Sequence, residues 1–213
     1  MKKLVLILIT FLSFCISSVS YSKIEKTKLD FSIDVPADYI LLSRDNYSQF
    51  KELLTRTFTK NIKKEDYDKE VENLYKKFTE GRTGNYFVII PNWGNSWAYS
   101  EITFYKQTND RVVPIDKLSL NKKTLTEFCN EFNDVLTRKV VNFKVEKCSI
   151  DRKKFKKFDK FLHLKAKYTK KDKIFESYFI DYKDFQIKVE ILVHKQDYER
   201  IEGSLRYMID TIN

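Results

Sequence analysis

The chain has 213 residues with 40 Lys and Arg against 30 Asp and Glu, and 42% of its residues are hydrophobic, enough apolar content for a buried core. Only 4 glycines are present, so Gly-rich phosphate loops of the GxGxxG or Walker A kind are excluded, and no GxSxG elbow occurs. Two histidines and 3 cysteines do not supply the clustered ligand spacing of a zinc site.

Met1-Lys2-Lys3 is a basic start followed by the apolar run Leu4 to Ile16 and then Ser17, Ser18 and Ser20, which is the form of a secretory signal. A spanning helix asks for about 20 apolar residues, more than this run offers. Cleavage near Ser20 or Ser22 divides the chain into a signal peptide, residues 1–22, and one domain, residues 23–213. The product is then periplasmic or secreted. The alternative is a lipid anchor on Cys15, disfavoured because Phe14 stands where a small residue is needed. Loss of Lys2 and Lys3 leaves 38 basic against 30 acidic residues, a net charge of +8. That charge suits an acidic protein partner or weak contact with an anionic membrane surface, while export argues against nucleic acid; a solvated lysine-rich surface, set by a composition rich in Lys, Asn, Ile, Tyr and Phe, is the simpler account.

In LDFSIDV, Leu29, Phe31, Ile33 and Val35 alternate with polar residues, which predicts a first strand ended by Pro36. Ala37 to Tyr39 is expected to turn the chain away. Tyr47 to Phe58 and Tyr67 to Phe78 carry helical spacing, punctuated by Gly81 and Gly84. Asn46-Tyr47-Ser48 matches a glycosylation sequon, a tripeptide common by chance. Tyr86 to Ile90 is a short strand. It leads into PNWGNSWAY, where Trp93 and Trp97 stand among turn formers and either tip a partner-binding loop or fold back over the sheet. SEITFYKQ predicts another strand, followed by a turn at Asn109 to Arg111.

Asn121 to Lys139 predicts an amphipathic helix with Leu125, Phe128, Cys129, Phe132, Val135 and Leu136 on one face, and Thr124 with Glu127 as a capping box. Val141 to Val145 predicts a strand running toward Cys148. With Cys15 removed, Cys129 and Cys148 form an even pair, most simply a disulfide in an exported protein, with two separate buried thiols as the alternative. The basic run Arg152 to Lys157, interleaved with Phe155 and Phe158, reads either as an anion-binding patch or as a solvated linker.

FLHLKAKY predicts a half-buried strand with Leu162, Leu164, Ala166 and Tyr168 inward, and with His163, Lys165 and Lys167 on an exposed face available to a partner. IFESYFIDY and FQIKVEILV follow, joined at Lys183-Asp184 as a hairpin. Tyr198, Ile201, Leu205, Met208, Ile209 and Ile212 then mark a terminal helix. His163 is expected to be exposed and His194 to lie in a turn, so neither suggests a catalytic base, and Asp181 with Asp184 fit turn geometry better than an acid-base pair. No catalytic, cofactor-binding or metal-ligating residue is expected.

The order of FSIDVPADY, ITFYK, the amphipathic helix, FLHLKAKY, YFIDY, IKVEILV and YERIEGSLRYMIDTI resembles the PsbP-like and Mog1-like proteins, in particular their DcrB-like bacterial envelope branch. The sequence departs from that pattern at Tyr39, where tryptophan is common, and in the length of the segment from Asn46 to Gly81. The resemblance implies an α+β fold, an antiparallel sheet with helices packed on its faces in an α/β/α sandwich. It also implies a non-enzymatic accessory or adaptor role toward another envelope protein. An immunity or inhibitor protein against an envelope-acting toxin is the alternative, and a hydrolase with an unrecognised site is the third; that last reading requires His163 or His194 to gather with carboxylates.

Overall fold

The computed structural model describes residues 23–27, 29–41, 86–91, 100–107, 112–139, 143–168 and 172–213. The signal sequence, the helices expected between Tyr47 and Phe78, the Trp93 to Trp97 loop and the Asn109 to Arg111 turn lie outside these residues. In chain order the elements are β1 (Lys23–Lys26), β2 (Ser32–Val35), β3 (Tyr39–Leu41), β4 (Tyr86–Pro91), β5 (Glu101–Gln107), α1 (Ile115–Leu120), α2 (Lys122–Lys139), β6 (Phe143–Arg152), β7 (Lys160–Tyr168), β8 (Lys173–Tyr182), β9 (Phe185–His194) and α3 (Tyr198–Asp210). A 3-10 turn, Lys195–Asp197, joins β9 to α3.

Among the described residues, strands β3 to β9 make one antiparallel sheet in the order β3-β4-β5-β9-β8-β7-β6, and β1 pairs with β2 in a separate two-stranded sheet. The β7-β8-β9 meander and the terminal helix fall where their alternation and helical stripe place them. Phe185, Ile187, Val189, Ile191 and Val193 of β9 share one core with Ile201, Leu205, Met208 and Ile209 of α3 and with Leu29, Phe31, Ile33 and Val35. On the opposite face Leu162, Leu164 and Phe179 meet Ile115 and Leu118, with Leu125, Phe128 and Phe132 of α2 packed alongside. Helices therefore cover both faces, and the architecture is an α+β sandwich.

Burying both faces changes several readings made from one-sided alternation. His163 is only 4% exposed, and so is not on an open surface, because α3 and the chain before β7 close the face it points to. The strand expected from Leu29 shrinks to Ser32–Val35; Asp30 adopts φ 65° in a turn held by the Thr27 hydroxyl on the Phe31 carbonyl at 2.6 Å. Tyr39, expected in a turn, opens edge strand β3 opposite Pro91. Helix α2 begins at Lys122, and its cap is the Asn121 side chain, which accepts from the Lys123 and Thr124 N–H groups at 2.9 and 3.2 Å, rather than a Thr124–Glu127 box. Val135, expected on the buried stripe, is 43% exposed.

The VVPI segment leads into a helix that its short length hid, α1. It is docked by buried Gln186, whose Oε1 accepts from Val113 N–H at 3.0 Å and whose Nε2 donates to Val113 O at 2.8 Å. The Arg152 to Lys157 run is not a loose linker, although Arg152, Lys153, Lys156 and Lys157 stay exposed. Phe155 and Phe158 are buried, and Asp210 accepts from the Lys156 N–H at 2.6 Å. Cys129 and Cys148 lie at disulfide distance with their Cα atoms 5.8 Å apart, tying α2 to β6. Among the described residues no helix is long and apolar enough to cross a membrane.

Candidate functional site

Strands β6, β7 and β8 lie side by side, and their register sets charged residues opposite one another. His163 pairs with Tyr178 and Lys165 with Glu176 across β7 and β8, while Ser149 pairs with His163, Lys147 with Lys165 and Lys144 with Lys167 across β6 and β7. Tyr178 shares the α3-side core with Phe161, and the two-residue period then places His163, Lys165, Lys167 and Glu176 on that same face. On β6 the pairing shifts between Val145 and Lys147. The extra residue, Glu146, allows both Lys144 and Lys147 to reach this face, which an unbroken strand would forbid.

At the centre, Glu176 is fully buried. Its Oε1 accepts from the Tyr198 hydroxyl at 2.6 Å and pairs with Lys165 Nζ at 3.0 Å, its Oε2 accepts from the Tyr178 hydroxyl, and His163 Nε2 stands 3.6 Å from Oε1. Lys154 Nζ donates to the Tyr178 hydroxyl at 2.7 Å and pairs with Glu202 at 2.9 Å. On the other side of the imidazole, His163 Nδ1 lies 3.0 Å from Asp151 Oδ2, and Asp151 also accepts from Ser149 at 2.7 Å and Lys147 at 2.5 Å. The His163 and Tyr178 rings stack with centroids 4.6 Å apart.

Burial alone would raise the pKa of Glu176, but His163 and the Tyr178 and Tyr198 hydroxyls outweigh it and hold the carboxyl well below the usual carboxylate range. Asp151 follows the same pattern: burial opposes ionisation, and Lys147, Ser149 and His163 prevail and lower it. The two phenols move the other way, raised by burial and by the Glu176 charge, so both keep their protons.

Of the residues expected to meet a partner, Lys165 is half-buried and committed to Glu176, Lys167 is exposed, and His163 lies inside the network. His194 ends β9, and its backbone N–H donates to the Ser100 hydroxyl at 3.4 Å. Asp181 accepts from Gln186 Nε2 at 2.8 Å, a structural bond beside the hairpin. Glu176 and Asp151 escaped the sequence reading. Glu176 had a signal of its own, a carboxylate in register with Tyr178, Ile180 and Tyr182 on a strand otherwise apolar on that face. Among the described residues no group of three His, Cys, Asp or Glu side chains is arranged to hold a metal ion.

No family model and no curated protein matches the sequence. Among solved structures, cyanobacterial PsbP (CyanoP) from Synechocystis sp. PCC 6803 is similar at a TM-score of 0.51 and 7% identity, over 92% of this chain and 94% of that one. The chain has the PsbP fold. A point mutant of Mog1 is similar at a TM-score of 0.42 and 9% identity over 91% of this chain and 95% of that one. PA94 from Pseudomonas aeruginosa, described as a putative regulator of unknown function, is similar at 0.39 and 12% identity over 60% of this chain and 79% of that one. At such identities the relationship to CyanoP is one of fold.

Proposed function

We propose that the protein is a non-enzymatic, exported accessory or adaptor protein that binds another protein of the cell envelope. One observation carries the non-enzymatic part. Glu176, the carboxylate around which a histidine, a lysine and two tyrosines gather, is 0% exposed and each of its oxygens already has a hydrogen-bond or ion-pair partner. A general base must reach a substrate proton and hold a pKa near the working pH; a sealed carboxylate kept ionised far below neutrality does neither. The network therefore serves to fix β6, β7 and β8 to α3. Export is supported by the signal-like Met1 to Ser22 segment and by the Cys129–Cys148 pair, which suits an oxidising compartment.

The test is affinity capture of the tagged protein from the envelope fraction under native conditions, followed by mass spectrometry. A partner recovered in stoichiometric amount and reciprocally capturing this chain is expected. Recovery of nothing above an untagged control removes the adaptor reading. Conversion of substrate by the purified protein, lost on Glu176→Gln substitution, removes the non-enzymatic one.

A further inference from the structure

Resting on that adaptor reading, we infer that the partner is held as an added β-strand on the outer edge of β6, through an extended acidic segment that meets Lys144, Lys147 and Lys167. Among the described residues β6 pairs only with β7, and at ten residues it is far longer than β3, the three-residue strand at the opposite edge of the sheet. Alternate backbone N–H and C=O groups of such an edge face outward, ready to pair with another chain. The disulfide to α2 holds this edge in place before a partner arrives, so little ordering cost remains on binding.

The charge pattern selects the partner. Like charges directly opposite one another on neighbouring strands destabilise a sheet, yet Lys144 stands opposite Lys167 and Lys147 opposite Lys165. The inner members are compensated, Lys147 by Asp151 and Lys165 by Glu176. Lys144 and Lys167 are exposed, and neither has an ion pair among the described residues. The bulge at Glu146 brings Lys144 and Lys147 to the same face, so carboxylates on every second residue of an added strand would lie beside both. An acidic strand relieves the repulsion.

The experiment titrates a fluorescein-labelled octapeptide of alternating Glu and Thr into the oxidised protein, beside the same peptide N-methylated at alternate residues. Binding at low ionic strength is expected, with amide shifts confined to β6 and its neighbour β7. K144E/K167E should weaken it about tenfold or more, a loss of about 1.4 kcal/mol. K123E, at a position 85% exposed on α2, should leave it unchanged. The N-methylated peptide should bind far more weakly, since it cannot complete the ladder. Equal binding of the two peptides overturns strand addition, and equal binding to K144E/K167E overturns the lysine assignment. Failure of the peptide alongside lysine-dependent binding of phosphatidylglycerol vesicles assigns the patch to a membrane instead. K144E alone, which sets a glutamate opposite Lys167, should fold with a raised melting point, showing that lost binding is not lost structure. If the envelope partner is captured equally by wild type and K144E/K167E, this site falls while the adaptor reading stands.

Discussion

At the residue scale, the consequences of Glu176 and His163 rest on their burial. Strict alternation put His163 on an open face, and that inference fails wherever helices cover both sides of a sheet, as they do here. The period was legible and the second layer was not, because the cover over His163 combines α3 from the end of the chain with the irregular bend at Phe155 before β7, neither of which the alternation of β7 reports. Glu176→Gln keeps the shape but removes the charge facing Lys165 and should cost about 2–3 kcal/mol, discounted for solvent near Lys165. Glu176 and Asp151 both titrate lower in the folded chain than in the unfolded one. In acid the unfolded chain therefore binds more protons. Their contribution is full above about pH 5 and is lost progressively as pH falls through the ordinary carboxylate range near 4. Urea unfolding from pH 7 to pH 3 should show this acid loss in wild type and a shallower one in Glu176→Gln. Parallel profiles would mean that Glu176 titrates alike in the folded and unfolded chains, without the lowered pKa that the network imposes.

At the scale of elements, two connections make separate predictions. The Lys183-Asp184 hairpin puts Lys183 at φ 51°, a left-handed conformation that a side chain resists and glycine accepts. Lys183→Gly should stabilise the protein by roughly 0.5 kcal/mol, the relieved strain slightly exceeding the entropy that glycine brings and the contact of Lys183 with the Tyr182 ring. The Cys129–Cys148 bond spans a sequence separation of 19. Replacing both with serine should cost about 3 kcal/mol on the chain-entropy account. Equilibrium unfolding with and without reductant checks it: wild type in reductant should fall to the double variant, and the double variant should not respond. The hairpin was readable because two-residue alternation stops and restarts around two turn residues. The reach of β6 was not, since its edge residues are half-exposed on both sides and the bulge at Glu146 breaks the alternation that would have marked the strand through to Arg152.

At the scale of the whole molecule, the α+β sandwich was legible from the order of strand and helix patterns, but the way its two ends close on each other was not. Hydrogen bonds between residues far apart in sequence leave no local periodicity. Ser32 N–H donates to the Asn213 carbonyl at 2.7 Å, Asn213 N–H donates back to Ser32 at 3.0 Å, and Asp34 N–H donates to the Thr211 hydroxyl at 3.1 Å. Ile212 is 0% exposed within the same core as Ile33 and Met208. Lys157, in the bend before β7, reaches Asn213 Oδ1 at 2.7 Å and so adds the basic run to this closure. Removing Thr211–Asn213 would empty the Ile212 site and strip β2 of partners on one side, a loss of about 3–5 kcal/mol. For a domain of this size that is a drop in melting temperature of roughly 10 °C. Ile212→Ala isolates the packing share and should lose about 2–4 kcal/mol while keeping the backbone pairs. A truncated chain that melts with the wild type would show that β1 and β2 dock through their own side chains alone. A drop confined to the truncation, with Ile212→Ala near wild type, would assign the closure to the backbone pairing with Ser32.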